Sequence, residues 1–269
     1  MVRIPHNDLN RNTAIGAIVW LTVCLAGAGT MAAAVGKTPP ALPGDSALYR
    51  DCMARVSKNP KQAFEQALAW HSTGGSYPAR HCAASALQAL GQHAEAAVRL
   101  QKLAFDMKAA PVALRAKILQ QAAGSWLRAK QRNRALAALK TAIKMAPKNM
   151  RLRSDRGLIL ALSGKLFAAV DDFNRVIEAE PKNTNVLVLR AATYRRLKSI
   201  ALARDDLKRA LLIDPDHPDA LLERGILRLA SKDRKGARAD WIRIIQVAPK
   251  SAAAIVARAK LAKFNLKKN

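Results

Sequence analysis

The chain repeats itself every 34 residues, and that period governs what it can fold into. Pro147, Pro181, Pro215 and Pro249 stand 34 apart. Ala135, Ala169, Ala203 and Ala237 keep the same step. So do Leu139, Phe173, Leu207 and Trp241, four places further on. Small residues recur at Ala123, Gly157, Ala191 and Gly225. Four columns with one period specify an array of like units, each packing on its neighbours.

Residues 150–183 show the physics of one unit. Leu152, Leu158, Ile159, Leu160 and Leu162 mark a first helix, which Ser163-Gly164 ends because Gly tolerates a left-handed cap. A second helix is predicted from about Leu166 to Ala179, with Val170, Phe173, Val176 and Ile177 on one face. Pro181 then stops it. Gly157 and Ala169 lack bulk where the two helices cross. One such hairpin cannot bury its apolar face alone, so consecutive hairpins stack.

These columns resemble the tetratricopeptide repeat (TPR) family. That family has a large residue, Leu, Gly/Ala and Tyr in its first helix, then Ala, an aromatic, Ala and a closing Pro. In residues 184–217 the positions read Leu187, Arg190, Ala191, Tyr194, Ala203, Leu207, Ala210 and Pro215. In 218–251 they read Leu221, Arg224, Gly225, Arg228, Ala237, Trp241, Ile244 and Pro249. In 116–149 they read Leu119, Ala122, Ala123, Trp126, Ala135, Leu139, Ala142 and Pro147. The resemblance implies an all-α fold, a right-handed α-solenoid of stacked helical hairpins (a TPR superhelix) after an N-terminal signal or anchor helix.

The expected organisation is as follows. Residues 1–34 form a signal peptide or uncleaved anchor, and 35–45 a Pro/Gly-rich linker. Residues 46–110 form two degenerate TPR-like hairpins. Four repeats follow at 116–149, 150–183, 184–217 and 218–251. Residues 252–269 are a capping helix and basic tail, and 111–115 fall between the weak and the strong units.

The first-helix Leu column departs from the family: it holds Arg156, Arg190 and Arg224. Asp172, Asp206 and Asp240 share their period. A half-buried Arg needs an acid, because an unpaired buried charge is costly. Arg156–Asp172, Arg190–Asp206 and Arg224–Asp240 are therefore read as structural ion pairs, or as the same ladder slipped by one repeat. A row of ligand-binding arginines is the competing reading.

The resemblance also implies a concave groove lined by the first helices, binding peptides or proteins. Carried onto this sequence, its positions include Lys117, Gln120, Arg151, Ser154, Leu158, Asn185, Val188, Ala192, Arg195, Leu222 and Ile226. Leu158, Leu222 and Ile226 have an alternative place, packed against neighbouring helices. The Lys/Asn carboxylate clamp of some TPR domains is missing from the set.

No catalytic constellation is evident. The five His (His6, His71, His81, His93 and His217) lack metal-ligand spacing on a helix face. Gly36-Lys37-Thr38 is not a phosphate loop, because Met31 stands where Gly is required and Pro39-Pro40 blocks the following helix. No enzyme, cofactor or metal is expected.

The amino terminus carries Arg3 and Arg11, then an apolar run from Ala14 to Leu25, then Ala32-Ala33-Ala34. That is the order of a secretory signal, with cleavage favoured after Ala34. An uncleaved membrane anchor is the rival. Either way the rest of the chain is exported, to a bacterial periplasm or to the membrane face that looks into it. Cys52 and Cys82 then invite a disulfide, against the alternative of two buried thiols.

The net charge is +27, which creates a field that attracts acidic proteins or anionic envelope surfaces. Nucleic acid is disfavoured, since no aromatic stacking platform is visible. The reading is an exported TPR adaptor that holds a protein or peptide of unknown identity in its groove. Alternatives are a module docking electrostatically on anionic envelope or membrane surfaces, and an assembly factor for an envelope enzyme complex.

Overall fold

A computed structural model describes residues 46–266. The signal or anchor segment and the linker lie outside the described residues. Thirteen α-helices and no strand occur among the described residues. None of these helices is long and apolar enough to cross a membrane. The chain divides into two compact units, which meet at residues 176 and 177.

The N-terminal unit holds α1 (Ser46–Lys58), α2 (Pro60–Ser72), α3 (Tyr77–Ala89), α4 (His93–Asp106), α5 (Val112–Arg128), α6 (Arg132–Met145), α7 (Met150–Leu162) and most of α8 (Leu166–Ala179). From α1 to α7 consecutive helices pack on one another, and α1 also packs on α3. The Sγ atoms of Cys52 on α1 and Cys82 on α3 lie at disulfide distance, with their Cα atoms 6.3 Å apart. The residues between the weak and strong units do not form a loop of their own. From Val112 onward they lengthen α5, which starts directly after Pro111.

The C-terminal unit holds α9 (Thr184–Arg196), α10 (Ile200–Ile213), α11 (Pro218–Ala230), α12 (Arg234–Val247) and α13 (Ala252–Leu266). Here α9 packs on α10 and α11 on α12, while the first helices α9, α11 and α13 pack on one another in turn.

The periodic columns have a steric basis. Ala135, Ala169, Ala203 and Ala237 are fully buried, as are Leu139, Phe173, Leu207 and Trp241. A Cβ on Gly157 would lie 2.6 Å from Phe173 Cε1, and one on Gly225 would lie 2.5 Å from Trp241 Nε1. Both approaches are closer than any real carbon contact. The two aromatic repeats therefore need Gly sixteen residues earlier. The two repeats with the smaller Leu139 and Leu207 hold Ala123 and Ala191 there.

The turns repeat as well. Gly164 has φ +78°, and Lys130, Lys198 and Lys232, one or two periods away, take φ +61°, +62° and +67°. In each, the residue after this position donates its N–H back to the helix, to Trp126, Leu160, Tyr194 and Arg228. Glycine enters this conformation freely, whereas lysine does so at a cost of about 1 kcal/mol.

Candidate partner-binding faces

The ion-pair column is built within each hairpin. Arg156 donates from Nε and Nη2 to Asp172 at 2.7 and 2.6 Å. Arg190 does the same to Asp206 at 2.8 and 2.7 Å, and Arg224 to Asp240 at 3.1 and 2.7 Å. The pairs join first to second helix of one repeat, sixteen residues apart, without a slip. All three carboxylates are buried. Each also faces a second arginine: Arg153 at 3.7 Å from Asp172, Arg209 at 3.7 Å from Asp206 and Arg228 at 2.8 Å from Asp240. Two cations thus share one acid at each site, so the array is basic even where it is paired.

The positions carried over for the groove fall into distinct environments. In the N-terminal unit Lys117 on α5 and Arg151 on α7 are exposed, and Gln120, Ser154 and Leu158 are half-buried. Gln120 Nε2 donates to Asp155 Oδ2, joining α5 to α7. Burial holds Asp155 above the ordinary carboxylate range. Two neutral bridges join α3 to α5. One runs from His81 Nε2 to Gln121 Oε1 at 2.7 Å, the other from Gln88 Nε2 to Ser125 Oγ at 2.6 Å. Tyr49 OH meets His81 Nδ1 at 2.8 Å. Burial lowers the pKa of His81, which favours the neutral ring; in that form Nε2–H donates to the Gln121 oxygen and Nδ1 accepts from Tyr49.

In the C-terminal unit the same columns are closed. Val188 is 0% exposed and Leu222 is 4% exposed. Both are packed inside the unit rather than lining a face, which corrects their placement in a groove. The cause is the close packing of α9 on α11 and of α11 on α13. Ala192 and Ile226 stay half-buried. Asn185 accepts from His217 Nε2 at 3.1 Å. Arg195 donates to Glu223 at 2.7 and 3.2 Å, so both groove positions at the ends of α9 are engaged inside the unit. Asp219, 6% exposed on the first turn of α11, has its pKa raised by burial and by Glu223 to about 6. Sequence reasoning missed Glu223 as the partner of Arg195, because neither residue belongs to a repeating column.

Among the described residues no group of His, Cys, Asp and Glu is arranged to hold a metal ion. The open depression in the C-terminal unit is not on the first-helix face. It lies between α10 and α11, with Arg204, Lys208, Leu211 and Leu212 on one wall and Arg224, Leu227 and Arg228 on the other.

Antiparallel helix pairs, period-34 apolar columns and Pro-closed second helices define a helical-hairpin repeat protein. Family models described as tetratricopeptide repeats match residues 122–193 and 184–217. Residues 122–217 are tetratricopeptide repeats. Among solved structures, the C-terminal part of a TPR repeat-containing protein from Cytophaga hutchinsonii is 14% identical, covers 82% of this chain and 89% of its own, and has a TM-score of 0.59. The Pseudomonas aeruginosa protein pilF is 17% identical, with 80% and 96% covered and a TM-score of 0.58. A double mutant of MamA from RS-1 is 17% identical, with 64% and 94% covered and a TM-score of 0.54. Likeness at these identities establishes the fold. No curated protein matches the sequence.

Proposed function

We propose that this chain is a non-enzymatic scaffold that holds a protein or peptide on the first-helix face of its N-terminal unit. The observation that carries this is the contrast between the two sets of first helices. Those of the C-terminal unit close on one another through Val188, Leu222 and the Arg195–Glu223 pair. Helices α5 and α7 are bridged by the bond from Gln120 to Asp155 and keep Lys117 and Arg151 exposed beside half-buried Leu158. A half-buried leucine beside polar Gln120 and Ser154, edged by cations, suits an amphipathic segment.

We place the protein outside the cytoplasm. The basic start, apolar run and Ala-rich end of residues 1–34 support export, and so does a cysteine pair at disulfide distance. Affinity capture from an envelope extract, washed at stepwise salt, tests the scaffold reading. A bound protein that survives high salt, and is lost from the Lys117→Glu/Arg151→Glu variant, is the expected result. Capture unaffected by that variant would overturn it. The charge of +27 favours a second reading, electrostatic docking on anionic envelope surfaces. Under that reading everything captured leaves at modest salt.

A further inference from the structure

The depression between α10 and α11 is a site of a different kind from the first-helix face. It has a volume of about 500 Å³. Arg204, Lys208 and Leu212 follow one another at four-residue steps and form a single row along α10. Arg224 and Arg228 form the facing row on α11, with Leu227 beside them. Leu207, Leu211 and Leu227 are buried and make the floor, whereas Leu212 is 73% exposed at the edge. A leucine left that far in water beside an apolar floor is unpartnered surface.

The charges are unequal. Arg224 and Arg228 both bond Asp240, and Arg228 also lies 3.6 Å from Asp233. Arg204 reaches only the neutral hydroxyl of Ser231. Lys208 is exposed and makes no ion pair among the described residues. Four cations thus meet two acids, and the two uncompensated cations sit on the same row as the exposed leucine.

We infer that this cleft binds a short acidic-apolar peptide segment, with carboxylates against Arg204 and Lys208 and an apolar side chain against Leu211, Leu212 and Leu227. Dimensions and charge both favour such a ligand. The row from Arg204 to Leu212 is about 12 Å long at 1.5 Å per residue. It takes about four extended residues at 3.3 Å each. Alternate residues of an extended strand lie about 6–7 Å apart, close to the separation of side chains one helical turn apart. A second copy of this chain is a poor occupant, because two bodies of charge +27 repel. The inference rests on the scaffold reading only in taking the ligand to be a protein. It uses other residues, so the two fail separately.

The test is fluorescence anisotropy of the full chain with a labelled hexapeptide of three glutamates alternating with three leucines. Lys208→Glu is expected to weaken binding by about tenfold, the equivalent of one lost charge-assisted contact. Leu212→Asp, on an exposed side chain that the fold does not need, is expected to weaken it about as much. The Lys117→Glu/Arg151→Glu variant should bind the peptide like wild type. Binding like wild type by Lys208→Glu or by Leu212→Asp would overturn the inference. So would a hexaglutamate binding as tightly as the alternating peptide, since the overall field would then be the cause. It also falls if the peptide does not bind while phosphatidylglycerol vesicles do so through Lys208, which would make the site a lipid contact.

Discussion

Two stretches of this protein solve one problem with a different balance of chemistry. From α1 to α6 the helices are tied by a cysteine pair, by two uncharged bridges, His81–Gln121 and Gln88–Ser125, and by one half-exposed ion pair, Arg80–Asp106. From α9 onward they are tied by guanidinium–carboxylate pairs, Arg190–Asp206, Arg195–Glu223 and Arg224–Asp240. The disulfide and the uncharged bridges do not depend on pH above the His81 range or on salt. The ion pairs answer to both. A repeat array therefore need not share one stabilising device even where its helices share one geometry.

The largest expected effect is on the covalent side. The Cys52–Cys82 pair has a sequence separation of 30, so its bond contributes about 3–4 kcal/mol on the chain-entropy model. Reductant should strip amide-exchange protection from α1–α3 and leave α9–α13 unchanged. Equal loss in both units would erase the contrast.

Next is Asp240→Ala, which leaves Arg224 and Arg228 without their shared acid. Breaking a buried pair costs up to 5 kcal/mol, and the partial exposure of these arginines brings the expectation to about 3. Gln88→Ala, which removes a neutral bridge, should cost about 1 kcal/mol. Urea unfolding of the two variants sets the figures side by side, and a ratio near one would break the comparison.

A smaller change runs in the stabilising direction. Asp219 titrates near 6 in the folded chain, above the ordinary carboxylate value of 3.8. Its charged form is thus disfavoured by folding. The contribution of Asp219 to stability is greatest below 3.8 and is lost as pH rises through about 6. Asp219→Asn should stabilise the chain by about 1–2 kcal/mol at pH 7.5, less than the full shift because an amide is also costly to bury. The gain should vanish at pH 4. A pH-independent gain, seen in thermal melts across that range, would refute this assignment.

The smallest is Lys198→Gly. Relief of the left-handed lysine is offset by glycine's greater freedom in the unfolded chain, which leaves about 0.5 kcal/mol of stabilisation. Differential scanning calorimetry should register a small rise in melting temperature; a fall would mean that the Lys198 side chain makes a contact worth more than the strain.

The sequence revealed most of the fold, because its period is imposed by steric fit. Phe173 and Trp241 demand Gly157 and Gly225, and that demand is visible in the letters. The ion pairs were legible for the same reason, since both partners repeat. The binding faces were less legible. Val188 and Leu222 occupy groove columns, but how closely α9 approaches α11 is not written in any column, and that approach buries them. The Lys208–Leu212 row is non-periodic too, and becomes a site only when α11 supplies the other wall.

The sixteen-residue spacing of the Arg–Asp pairs has a consequence for cooperativity. Each pair lies inside one hairpin, so in a nearest-neighbour description it adds to the intrinsic free energy of a repeat and nothing to the coupling between repeats. In the C-terminal unit, coupling falls to the apolar contacts between hairpins, to two cross-repeat ion pairs, Arg195–Glu223 and Arg243–Asp216, and to the hydrogen bonds Arg204–Ser231 and His217–Asn185. Intrinsically firm units with few polar ties between them should fray hairpin by hairpin from the end of the array, each lost as a whole while its neighbour stays folded.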